Sequence, residues 1–177
     1  MDWRRLSIIW NGNMKNDSVT LPDGNTIRYE FDGEDRVTRI TDQCNNVTQM
    51  TYDSGGRLVR RVLADGSTVK YTYDAVGNVI EETNPNNAIV TKTYDHMGNV
   101  LTVTDHEGNT TWYEYNAMNK VVRVTNAVAG TTRYEYSKAG DLLCEIDALG
   151  NKKTYTYDAF GNRLDKHLMD AIIAALE

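Results

Sequence analysis

Aromatic residues recur in this chain at a fixed spacing of 21 residues: Phe31, Tyr52, Tyr73, Tyr94, Tyr115, Tyr136 and Tyr157, with no insertion between them. Trp10 stands one period before Phe31. An unbroken period of this length marks a repeat protein, in which each unit is one supersecondary element that buries apolar area only by stacking on its neighbours. The functional question becomes which surface the units build, not which unique residues react.

The stretch after each aromatic explains the period physically. In Tyr73-Asp74-Ala75-Val76-Gly77-Asn78-Val79-Ile80, Asp74 can bond its own backbone two residues on, Gly77 can supply a positive φ, and Val79 opens a strand. The same frame holds Tyr52, Asp53 and Gly56, then Tyr94, Asp95 and Gly98, then Tyr157, Asp158 and Gly161. Weaker copies follow Tyr115, with Asn119 in the glycine place, and Tyr136, with Gly140 kept. A second turn signal lies half a period away, at Asp23-Gly24, Asp65-Gly66, Glu107-Gly108-Asn109 and Leu149-Gly150-Asn151. Asn86-Asn87 and Ala129-Gly130 take that place in two other units.

Between turns the residues alternate with period two, which puts every second side chain on one face of a sheet. Val69, Tyr71 and Tyr73 share a face, as do Thr111, Tyr113 and Tyr115, and Thr132, Tyr134 and Tyr136. Lys70, Thr72, Glu114, Arg133, Glu135 and Thr156 take the other. Each unit therefore reads as two short antiparallel strands and two turns, and seven units as an all-β meander of about fourteen strands, a size at which twisted sheets curl. A curved or spiral antiparallel sheet of tandem 21-residue hairpins is expected over residues 21–164, with residues 1–20 as a degenerate N-terminal cap. At the other end, Leu168, Ile172, Ile173 and Leu176 would share a helical face. Residues 165–177 are thus expected to form a short amphipathic helix that covers an open edge, or to be a purification-tag junction.

Charge and composition narrow the partners. A net charge of −6 argues against nucleic acid. The apolar run Ile8-Ile9-Trp10 is too short for a signal peptide and no stretch is long enough for a membrane span, so the chain reads as cytoplasmic when synthesised. Cys44 and Cys144 lie nearly five units apart, on the order of 45 Å at about 4.8 Å per strand, which predicts two free thiols. His96, His106 and His167 have no ligand spacing, so no metal or other cofactor is expected.

The Tyr-Asp-x-x-Gly-Asn/Arg-Leu/Val frame, followed by a half-period Asp/Glu-Gly and then Tyr-x-Tyr, resembles the YD repeat. This repeat belongs to rearrangement-hotspot (Rhs) proteins, wall-associated proteins, insecticidal toxin complexes and teneurins. The resemblance covers about residues 21–164 and implies a β-strand spiral that in long relatives closes into a hollow shell around a toxin domain; in teneurins a related scaffold serves adhesion. It also implies protein partners, either toxin cargo, other YD-repeat segments or a second copy through sheet edges, and export if the chain is part of a larger toxin. Seven units are too few to wrap a domain alone, so a shell segment is expected.

Other chemistry has less support in the residues. The repeated aspartates, including Asp32, read as turn closers, because equivalent turns would lie roughly 9.6 Å apart while one cation needs oxygens at about 2.3–2.6 Å. No Gly-x-Ser-x-Gly, phosphate loop or metalloprotease helix occurs. The Asn-x-Ser/Thr matches at Asn16, Asn46 and Asn109 are expected by chance in so Thr- and Asn-rich a chain. A non-enzymatic scaffold is the first reading. The alternative is a carbohydrate-binding or adhesion module at the cell surface, with Trp112, which alternation places on the polar face, as its ligand contact.

Overall fold

The computed structural model describes residues 7–10, 16–21 and 23–164. The chain divides into two units, residues 1–91 and 92–177. The first carries β1 (Ser7–Trp10), β2 (Asn16–Thr20), β3 (Thr26–Phe31), β4 (Val37–Thr41), β5 (Val47–Tyr52), β6 (Leu58–Val62), β7 (Thr68–Tyr73) and β8 (Val79–Thr83). The division falls inside β9 (Ile89–Tyr94). The second carries β10 (Val100–Thr104), β11 (Thr110–Tyr115), β12 (Val121–Asn126), β13 (Gly130–Tyr136), β14 (Leu142–Ile146), β15 (Lys152–Thr154), β16 (Thr156–Tyr157) and β17 (Arg163–Leu164). Strands β1 to β15 are hydrogen-bonded in sequence order, an antiparallel meander without a crossover, and β16 pairs with β17.

The described residues form seventeen strands, more than the fourteen or so expected, for two reasons. Residues 7–10 and 16–20 already form paired strands of the same sheet. Near the other end the strand is interrupted at Tyr155, whose N–H donates to the Leu143 carbonyl at 2.9 Å. Residues 165–177, where a helix or tag junction was expected, lie outside the described residues.

A recurrent irregularity keeps the apolar side chains on one face. Tyr73 pairs with Val79, but Thr72 pairs with Glu81, so Ile80 is an extra residue opposite a single step of β7. The same shift occurs beside Phe31, Tyr52, Tyr115 and Tyr136. A bulge of this kind adds one residue to one strand and sharpens local twist. Because of it, Val37 and Ile40, or Val121 and Val124, share the tyrosine face although they stand three apart in sequence.

Neither unit has a deep interior among the described residues. Val69 (4% exposed) and Cys144 (7%) are the buried apolar side chains, and no side chain is completely enclosed. The tyrosine face is half-buried, as in β7, where Val69, Tyr71 and Tyr73 are covered more than Lys70 and Thr72. Strand-to-strand contact, not a second layer, supplies the apolar burial.

Candidate functional site

The turns that follow the ladder aromatics are built by one side chain each. Asp74 Oδ1 accepts from the N–H groups of Val76 and Asn78 at 3.0 and 2.9 Å, and its Oδ2 accepts from Asn78 Nδ2 at 2.9 Å. The Asp74 N–H donates to the Asn78 carbonyl, and the Gly77 N–H to the Asp74 carbonyl. Gly77 sits at φ +99°, where a side chain would strain the backbone. Asp32, Asp53, Asp95 and Asp158 repeat the two amide contacts, Asn116 reproduces them with its side-chain oxygen and Ser137 with its hydroxyl. The positive-φ place is filled by Gly56, Gly98, Gly140 and Gly161, by Asn119 at φ 55° and by Asp35 at φ 71°.

Beyond their local turns, the phenols join one repeat to the one before. Tyr52 donates its hydroxyl to the Val37 carbonyl at 2.7 Å, and Tyr73 to Leu58 at 2.7 Å. In the second unit Tyr115 donates to Val100, Tyr136 to Val121 and Tyr157 to Leu142, at 2.8, 2.9 and 2.9 Å. The acceptor in these bonds is fifteen residues back, and Val37, Leu58, Val121 and Leu142 are the residues that pair with the preceding aromatic. Phe31 has no hydroxyl to donate, and Tyr94 ends β9 in the equivalent place. Two arginines add to the link, with Arg36 over the Tyr52 ring at 5.0 Å and Arg57 over Tyr73 at 4.9 Å. Arg57 also donates to the Asp74 carbonyl at 3.1 Å.

The half-period turns use the same five-residue frame as the turns that follow the aromatics. Asp42, Asp105 and Asp147 each accept from the N–H groups two and four residues on. Asn84 does the same. These four positions belong to a second 21-residue register that also holds Leu21, Leu63 and Asn126. Where leucine occupies it, an aspartate two residues later bonds the backbone instead, Asp23 to Asn25 and Asp65 to Ser67. The register was readable in the sequence, and the leucines hid it.

With this geometry in view, comparison with known proteins is decisive. The profile of the RHS Repeat family matches residues 18–43, 52–89, 73–110 and 94–131, more than half of the chain. The chain belongs to the RHS repeat family. The RHS repeat sheet is also similar to solved structures: the TcdB2-TccC3-Cdc42 crystal structure at 19% identity and TM-score 0.67, covering 86% of this chain and 10% of the other. The Photorhabdus luminescens Tc holotoxin pore gives the same identity and TM-score over 89% of this chain and 10% of that one. This likeness shows the fold, and the chain spans about a tenth of the length of those chains. No curated protein sequence matches it.

The electrostatics of the RHS repeat turns follow from their hydrogen bonds. The Asn78 side-chain amide, with the Asn78, Val76 and Gly77 N–H groups, holds the Asp74 carboxyl below its ordinary value. Asn99, Asn109, Asn151 and Asn162 act likewise on Asp95, Asp105, Asp147 and Asp158, while the Arg57 N–H and guanidinium act on Asp53. These carboxylates are spent within their own turns. Among the described residues no group of three or more His, Cys, Asp or Glu could hold a metal ion, and no helix is long and apolar enough to cross a membrane. Cys44 and Cys144 are free thiols, the first exposed and the second buried.

Trp112, the expected ligand contact, lies apart from the tyrosine network. It is 46% exposed, on the face opposite Tyr113 and Tyr115. The apolar tips of the turns that follow the aromatics are exposed too: Val76 in the first unit, Met97, Met118 and Phe160 in the second.

Proposed function

We propose that this RHS repeat chain is a wall segment of an enclosing protein shell in a bacterial toxin system, and that its task is scaffolding and not catalysis. The observation that carries the reading is the mode of assembly. Backbone pairing and the phenol-to-carbonyl bonds tie each repeat to its neighbour, and among the described residues no second layer covers the sheet in either unit. Such a construction extends by adding strands and presents broad faces, as a wall requires. In this reading residues 21–164 are seven wall units. Its partners are toxin cargo on one face and further RHS repeat segments, or a second copy, at the terminal strands. Its place of action is outside the cell, as part of an exported toxin.

Light scattering after size exclusion, across a concentration series, tests the reading. Wall segments that extend through strand edges associate, so the mass should rise with concentration to a discrete oligomer. A monomer at every concentration would overturn it.

A further inference from the structure

Three residues after each ladder aromatic, one side chain stands at the tip of the turn. In the first unit that place holds Glu34, Gly55 and Val76, so the turn folds around a charge, a bare backbone or an isopropyl group. In the second unit it holds Met97, Met118, Ala139 and Phe160. Met97 is 62% exposed, Met118 45% and Phe160 91%. The turn makes no use of these side chains: only their N–H groups take part, donating to Asp95, Asn116, Ser137 and Asp158. Large apolar groups that the fold neither buries nor requires mark a contact with something else.

The arrangement of the tips shows what kind. In an antiparallel meander the turns that follow the aromatics all leave the sheet along one rim. Consecutive ones lie two strand spacings apart, about 9.6 Å, so the row from Met97 to Phe160 runs roughly 29 Å. Between the tips stand Lys120 and Lys138, both exposed. Lys120 leans toward the next turn, with its Cε 3.6 Å from where a Cβ would stand on Gly140. The carboxylates of this rim, Asp95, Asp141 and Asp158, are half-buried and accept hydrogen bonds inside their own turns. The opposite rim of the same unit differs. It also exposes apolar tips, Val128 and Leu149, but the charge beside them is the exposed Glu107, and its turns contain no lysine or arginine.

We propose that the rim bearing Met97, Met118 and Phe160 docks on the surface of a lipid bilayer that carries anionic phospholipid. The three apolar tips enter the headgroup layer, and Lys120 and Lys138 meet the lipid phosphates. Apolar side chains about 9.6 Å apart do not make the contiguous dry centre on which a protein interface is built. A bilayer surface accepts each of them separately, and its negative potential draws the lysines. Lysine stems can lie along the apolar tips while their ammonium groups stay in the polar layer. Such docking needs no spanning segment. It goes beyond the wall reading and does not rest on it.

Flotation of the full chain with extruded vesicles tests the proposal, using phosphatidylcholine alone or with about 30% phosphatidylglycerol, at about 0.1 M salt. The anionic vesicles should carry at least about threefold more protein than the neutral ones. Replacing Met97, Met118 and Phe160 together by serine should weaken binding about tenfold, and so should Lys120→Gln with Lys138→Gln. Val128→Ser with Leu149→Ser, on the opposite rim, should leave it unchanged. All of these side chains are exposed, so each variant should melt within about 2 °C of the parent, which separates lost docking from lost folding. Absence of flotation with anionic vesicles, equal flotation with neutral ones, or binding unchanged in the triple serine variant would overturn the proposal. So would a fall in the scattering mass of the triple serine variant without vesicle binding by the parent, which would assign the rim to a protein contact. The wall reading rests on the strand edges: if it stands, the triple serine variant keeps the mass of the parent chain.

Discussion

The Tyr136 hydroxyl donates to the Val121 carbonyl at 2.9 Å, and Val121 is the residue that faces Tyr115 across the preceding bulge. One phenol thus fastens the end of β13 to the start of β12, at the rim where the strands have just emerged from a five-residue turn. The bond is part-buried, so the carbonyl has little water to fall back on. Tyr136→Phe removes the donor and keeps the ring. It should destabilise the sheet by about 1 kcal/mol, the net value of a neutral hydrogen bond whose acceptor is left partly unsatisfied. Urea unfolding of the two proteins checks this, with an unchanged slope and a lower midpoint expected.

Gly77 separates backbone strain from crowding. An added Cβ would meet nothing within 4 Å, yet φ is +99°. Gly77→Val should therefore cost more than about 1 kcal/mol through the backbone alone, since a β-branched residue is strained in that region. An unchanged melting temperature would contradict the turn geometry.

Asp105 and Asp74 hold equivalent places in the half-period turns and in the turns that follow the aromatics, and each accepts from two backbone N–H groups and one asparagine side chain. Asp105→Ala and Asp74→Ala should lower the melting temperature by similar amounts. A loss confined to Asp74→Ala would mean that the half-period turns are held some other way.

The turn carboxylates also make stability depend on pH. Asp42, Asp53, Asp74, Asp95, Asp105, Asp147 and Asp158 are all lowered in the fold from the ordinary 3.8 by hydrogen bonds to their charged forms. Between the folded and unfolded values the unfolded chain binds more protons, so these groups contribute their full stabilisation above 3.8. That contribution is lost as pH falls through the folded values. Thermal unfolding should show a steep fall in melting temperature below about pH 4 and little change from about pH 5 to 7.

Much of this architecture is legible in the sequence, because its two periods report different things. Spacing of 21 from Phe31 to Tyr157 marks the unit, and alternation within Thr68–Tyr73 or Thr110–Tyr115 marks the strand faces. The bulge opposite Tyr73 was not legible, since Ile80 looks like any other strand residue until pairing is known. Nor was the phenol link, because its acceptor is a backbone carbonyl, which every residue carries. The second turn register was obscured by Leu21 and Leu63, and Asp35 gave no sign that it stands in a glycine place at φ 71°. Trp112 is the reverse case, visible in the sequence as the residue that departs from its register.

The central claim is that the sheet is held repeat by repeat, without a common interior. Its most direct test combines two phenol deletions from different units, Tyr52→Phe and Tyr136→Phe, in one chain. The unfolding free energy of the double variant should fall by the sum of the single losses, about 2 kcal/mol in all, because each bond joins only its own neighbouring repeats. A double loss that departs from that sum by more than about 0.5 kcal/mol would show the two sites coupled through shared structure, and would contradict the account.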